Sequence, residues 1–219
     1  MFRAFFSGVL RRIIECFKGS YLLWQFLAAA LTLVLVESGA DWRYFESTRS
    51  DLLFSLALPA AIIGFFVPVI VPVGLYIIGE MRRMPELVRA GAALAQSVIV
   101  AYVVSCFYKI FTGRIQPEFL THLSTVDISR EFQFGFLRNG IFWGWPSSHA
   151  AVACAMVAAL VVLYPRIRAI KYLALLYGLY IVLGVSVSIH WLSDALAGAI
   201  IGSVAGIVVA RSFARGKTQ

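Results

Sequence analysis

Charge is what this sequence lacks. Only 14% of its 219 residues are Asp, Glu, Lys or Arg, whereas a water-soluble domain carries charge at about a quarter of its positions. Mean hydropathy is +0.86 and 61% of the residues are hydrophobic. Apolar side chains in that excess must face lipid, and only helices or closed barrels cross lipid with every backbone polar group satisfied. Cysteine is nearly absent too. Cys16, Cys106 and Cys154 are scattered, so neither a disulfide framework nor a thiolate metal motif is in view. No cluster of carboxylates and histidines suggests a metal, and no cofactor is expected. There is no long repeat, low-complexity run or linker, so residues 1–219 are expected to form one membrane-embedded domain.

What is present is a set of long apolar runs. A helix crosses a bilayer with about 20 mainly apolar residues. Six stretches qualify, 19–36, 52–79, 90–108, 148–164, 172–189 and 191–210, which predicts an all-α polytopic bundle of six transmembrane helices. The second is long and holds Pro59, Pro68 and Pro72, which predicts a kink or a tilted entry. The first follows Arg11, Arg12 and Lys18 as a signal peptide would, but no clear small-residue cleavage site comes after it, so it is expected to stay as a span. Ahead of it, Phe2, Phe5, Phe6, Val9, Leu10, Ile13, Ile14 and Phe17 recur near the helical period, with basic residues opposite. Residues 1–18 therefore read as an amphipathic helix on the inner membrane face.

Positive charge sets the orientation. The N-terminus, 80–89, 165–171 and 211–219 alternate onto one side and hold most of the Lys and Arg, against Glu15, Glu80 and Glu86 alone. Basic residues stay in the cytoplasm. Both termini are then expected inside, and the segments 37–51 and 109–147 outside, in a multi-pass protein of a bacterial cytoplasmic membrane. The formal charge of +8 is read as a topology signal, and nucleic acid is not an expected partner. The 37–51 segment reads as an acidic loop without chemistry of its own.

Three clusters converge on the outer side. KIFTGRIQP (109–117) opens the long loop, WPSSH (145–149) closes it, and SIHWLSDALAG (188–198) returns to the same face after one hairpin. Pro146 with Ser147 and Ser148 makes a helix start capped by serine. The free N–H groups and positive dipole end of such a start attract oxyanions. His149, in that first turn, is placed to move a proton. His190 and Asp194 are four apart and share a helical face, so the carboxylate can orient the imidazole. Lys109 and Arg114 bring positive charge for an anion. Two imidazoles, a carboxylate, two hydroxyls and two cations on one bilayer face describe a phosphate site. An amphiphile carrying phosphate is the expected partner. The aromatic segment 118–145 reads either as interfacial aromatics at headgroup level or as a lid that grips the lipid headgroup, and His122 in it as a surface residue. Gly198, Gly202 and Gly206, at four-residue spacing, predict close helix packing inside the bundle.

These residues resemble the signature of the type-2 phosphatidic acid phosphatase family, the membrane lipid phosphate phosphatases. That signature is Lys, six residues, Arg-Pro; then Pro-Ser-Gly-His; then Ser-Arg, five residues, His, three residues, Asp. Here it is met by Lys109 with Gln116-Pro117, by Pro146-Ser147-Ser148-His149, and by His190 with Asp194. The resemblance implies that His190 attacks phosphorus and forms a phosphohistidine, oriented by Asp194. It implies that His149 protonates the leaving group, that Ser147, Ser148 and Lys109 hold the phosphate, and that no metal takes part. Two of the family's arginines are missing: Gln116 stands at one position, and Leu183-Gly184 replaces the Ser-Arg pair. Arg114 is the expected substitute clamp, ahead of Arg138 and Arg130. A lipid phosphatase is thus expected, with a lipid phosphotransferase or a non-catalytic lipid-binding relative as the alternatives.

Overall fold

The computed structural model describes residues 2–117, 126–138 and 140–215. Its described residues form eight helices in chain order: α1 (Phe2–Glu15), α2 (Ser20–Glu37), α3 (Ala40–Thr48), α4 (Asp51–Met81), α5 (Pro85–Thr112), α6 (Ser148–Leu163), α7 (Arg168–Ser188) and α8 (Leu192–Arg215). This is an all-α polytopic membrane protein. α2, α4, α5, α7 and α8 are each long and apolar enough to cross a membrane, whereas α6 has 16 residues and is shorter. Each of the six predicted stretches coincides with one of these helices.

The ends of the helices follow from local chemistry. Ser50 caps α4 by accepting from the Leu53 N–H at 3.2 Å, and Pro85 opens α5 where its missing N–H is harmless. Gly113 ends α5 in the left-handed conformation, φ 44°, which only glycine adopts without steric cost. α4 runs unbroken for 31 residues through Pro59, Pro68 and Pro72. At 1.5 Å per residue that is about 46 Å, longer than a hydrocarbon core of about 30 Å.

Burial in lipid follows side-chain size. α4 turns Leu52, Leu56, Ile62, Phe66 and Ile70 outward and buries Ala57, Ala60, Gly64, Pro68 and Pro72 against its neighbours. Large side chains meet acyl chains at little cost, and small ones let backbones approach. α6 is the extreme case: from Ala150 to Val157 every residue is buried, as suits a helix apolar on all sides. α1 docks on α5 and α8. Val9 and Cys16, with Ile13 and Phe17, join the cluster around Val100, Val104 and Ile201, while Leu10 and Ile14 stay exposed.

The glycine spacing of α8 sets the position of the site. A Cβ on Gly198, Gly202 or Gly206 would run into the carbonyl oxygen of Ser147, Ala151 or Ala155 respectively. These glycines pack inside the bundle, against α6. Gly202→Val is expected to lower stability by about 1–3 kcal/mol or more through overpacking, visible as a lower melting temperature in detergent. Gly74→Val is the control, because its added Cβ meets nothing within 4 Å.

Candidate active site

The close α6–α8 seam brings the head of α6 to the first turn of α8. The Ser147 backbone N–H donates to the Asp194 carbonyl at 3.0 Å, and Ser147 Oγ caps α6 by accepting from the Ala150 N–H at 3.4 Å. His149 follows in the first turn of α6, and His190 lies in the short turn between α7 and α8. Their ring centroids are 6.0 Å apart. α5 adds its last turns: Ser105 and Ser148 share a hydrogen bond of 2.9 Å between hydroxyls, and Lys109 donates to the Phe142 carbonyl at 2.9 Å. Lys109 is only 2% exposed. An ammonium carries three donors, so this bond leaves capacity for an anion.

His190 Nδ1 faces Asp194 Oδ2 at 3.7 Å, an ion-pair distance when the ring is charged but too long for a hydrogen bond. This arrangement turns Nε2 away from the carboxylate. Burial lowers the His190 pKa from the ordinary histidine value; Asp194 opposes that lowering, and the charges of Lys109 and Arg114 add to it. The lowering favours the neutral form of the imidazole.

Arg114 lies behind Asp194 and has 0% exposure. Its Nη1 donates to Asp194 Oδ1 and, at 2.7 Å, to Ser193 Oγ. Its Nη2 donates to Asp41 Oδ2 at 2.7 Å and to the Ser129 carbonyl at 2.6 Å, and Nε reaches the same carbonyl at 3.1 Å. Phe132 and Trp191 flank the guanidinium at 4.8 and 5.6 Å. The donors expected to clamp a phosphate are thus engaged by protein, and two buried carboxylates neutralise the cation. Arg130 is also committed elsewhere, donating to the Glu37 carbonyl at 3.0 Å. Arg138 is an exposed loop residue. His122 lies outside the described residues.

Asp41 is the residue that sequence reasoning passed over. The 37–51 segment is not a bare acidic loop: it holds α3, whose first turn carries Asp41 into the interior. Both Asp41 oxygens are used, Oδ1 by the Ser193 N–H at 2.9 Å and Oδ2 by Arg114 and the Ser193 hydroxyl. Nothing in the spacing of the chain links Asp41 to a partner 73 positions away. The two positions without the family's arginines are filled differently. Gln116 Nε2 reaches Asp194 Oδ2 at 3.4 Å and the Gly144 carbonyl at 3.3 Å. Gly184 packs so closely on Ala57 and Ala60 of α4 that even a Cβ would collide.

A model of the PAP2 superfamily matches residues 90–217, more than half of the chain. The chain belongs to the PAP2 superfamily. The match runs from within α5 through α8 with all seven candidate site residues, and α1 to α4, including Asp41, precede it. Neither the curated proteins nor the solved structures provide a match. Membership in the PAP2 superfamily supports a phosphatase-type activity on phosphate esters. The local chemistry of this PAP2 chain includes a glutamine on the Asp194 carboxylate, an α4 backbone packed against Gly184, and a buried Asp41–Arg114–Asp194 chain behind the histidines.

Proposed function

We propose that this PAP2 protein hydrolyses a phosphate ester or diphosphate on an amphiphilic lipid, through a phosphohistidine on His190 and without a metal. The single observation behind this reading is the 6.0 Å separation of two imidazoles from different helix junctions, a spacing that fits one phosphoryl group between them. His190 Nε2 attacks phosphorus, the P–O bond to the lipid alcohol or phosphate breaks, and His149 gives the leaving oxygen its proton. Water then attacks phosphorus, the P–N bond breaks, and His149 takes the water's proton. Lys109, Ser147, Ser148 and the N–H groups heading α6 stabilise the equatorial oxygens. Asp194 orients His190, and Arg114 with Asp41 acts as a positioning group that holds Asp194. That role replaces the phosphate clamp expected of Arg114.

A lipid substrate is favoured by the surroundings of His149. Phe65 of α4 lies 6.2 Å from that ring and is 51% exposed on a lipid-facing surface, so the site borders the bilayer laterally. Phe134, Phe136, Phe142 and Trp143 add an exposed aromatic rim of the kind that settles at headgroup level. The basic-residue distribution favours a single domain with cytoplasmic termini and the 109–147 loop outside the cytoplasmic membrane.

The test is phosphate release from a panel of phosphatidate, prenyl diphosphate and lipid A phosphates, combined with acid-quench trapping of labelled phosphoprotein. Release with a trapped, acid-labile phosphoprotein is expected. Label passing to an added alcohol in place of water would make the protein a transferase; binding without turnover or phosphoprotein would make it a lipid-binding relative. Because attack needs neutral His190 and its pKa is lowered, the acid limb of kcat/KM should fall below about pH 6.5, the ordinary imidazole value. An acid limb above that value would contradict the assignment of His190.

A further inference from the structure

A cavity lies far from the histidines, where the end of α4 and the start of α5 meet α1 and the tip of α8. Its volume is about 1000 Å³, the upper end of the range for small-molecule sites. Arg89 on its wall and Lys109 at the catalytic site are 20 residues apart on α5, or about 30 Å along the helix. The cavity is separate from the phosphate site.

Its lining has two characters. Pro72, Val73, Val88, Ala92, Ala95 and Phe213 make an apolar recess. Gly79 and Gly91 on its lining let α4 and α5 approach closely: a Cβ on Gly79 would collide with Val88, and one on Gly91 with the backbone of Pro72 and Tyr76. Arg12, Arg83 and Arg89 also line it, with Glu80 as the one lining acid among the described residues. Arg12 is only partly neutralised. Its Nη1 reaches Glu15 at a long 3.4 Å, and its Nε is buried with no hydrogen-bond partner. Among the described residues Arg83 and Arg89 form no salt bridge. A hydrocarbon-sized recess with surplus guanidinium at its walls complements an amphiphile whose head is an anion. Guanidinium binds phosphate oxygens in a bidentate fork, and in a bilayer the recess is within reach of acyl chains.

We infer that this cavity binds an anionic phospholipid of the surrounding leaflet, its phosphodiester held by Arg12, Arg83 and Arg89 and an acyl chain laid between α4 and α5. The occupant is a bound companion lipid, distinct from the substrate.

Phosphatidylglycerol is a suitable probe, since it is a phosphodiester without a terminal phosphate for the histidines to remove. The full chain in a mild non-ionic detergent is titrated with phosphatidylglycerol or phosphatidylcholine and bound lipid is counted by native mass spectrometry. At least tenfold preferential retention of phosphatidylglycerol is expected. The double variant Arg83→Ala/Arg89→Ala should reduce retention to the phosphatidylcholine level with no change in phosphatase rate. Ala95→Phe, which fills the recess and leaves every arginine in place, should also release the lipid. A phosphatidylglycerol with a photoreactive acyl chain should label peptides covering 72–83 and 85–96. Equal retention of the two lipids, unchanged retention in both variants, or labelling confined to other helices would each overturn the inference.

Discussion

Arg114→Ala is expected to destabilise the protein by about 3–5 kcal/mol, the scale for removing one partner of a buried ion pair. The reason is geometric. Arg114 stands between Asp41 and Asp194, all three have 0% exposure, and without the guanidinium two carboxylates share an interior with no cation between them. The Ser129 carbonyl, which accepts from both Nε and Nη2, is left unpaired as well. Arg114→Lys restores the charge but not the fork. A single ammonium cannot span Asp194, Asp41 and Ser129 together, so less than half of the lost stability should return. Unfolding of the detergent-solubilised protein measures this. A double-mutant cycle with Asp41→Ala should give a loss well below the sum of the single losses, because one network is being broken twice. The kinetic split separates the two roles open to Arg114. A positioning residue lowers kcat through Asp194 and His190 with little change in KM. A phosphate clamp would instead show a KM raised strongly by Arg114→Lys in a protein of normal stability, and that result would reinstate the clamp.

The second large effect concerns the two histidines, which should fail in different ways. His190→Ala is expected to abolish phosphoprotein and lower turnover on the order of 10⁴-fold or more, as when the nucleophile of a covalent mechanism is removed. His149→Ala removes the proposed proton donor, with an expected loss of about 10²–10⁴-fold on a lipid alkoxide leaving group. Measured as kcat/KM, which reports the phosphorylation step, that loss should shrink sharply on an aryl phosphate, whose phenolate leaves without a proton, while phosphoprotein accumulates and kcat stays low because water loses its base. Equal losses on both substrates would remove His149 from the acid role. His190 is 5% exposed and His149 packs against Phe65 and His190, so melting curves of both variants must accompany the rates.

The helices were legible in the sequence because in lipid the signal is length and hydropathy, both properties of contiguous residues. The α8 seam of Gly198, Gly202 and Gly206 was readable as small side chains at helical spacing, whereas the α4 seam of Ala57, Ala60 and Gly64 emerged only from the packing. His149 with Ser147, and His190 with Asp194, are local pairs, so their chemistry was visible in short motifs. The hydrogen bonds of Arg114 were not. Its position two residues before Gln116 suggested a substitute clamp, and its actual partners come from α3, from the loop at Ser129 and from α8. The same holds for Asp41, whose acidic segment resembles any solvent-facing loop until α3 folds inward.

The sequence alone determined that this chain lives in a bilayer as a helical bundle, and pointed to His149, His190, Ser147, Ser148 and Lys109 converging on one face. Helix formation and insertion depend on neighbours along the chain, and alternation of spans assigns each junction to a side. Tertiary structure decided which charges remain available there. A buried cation binds the carboxylates that packing brings to it, and those come from segments with no fixed spacing between them. That is why Arg114 ended behind Asp194, and why α4 fills the place next to Gly184.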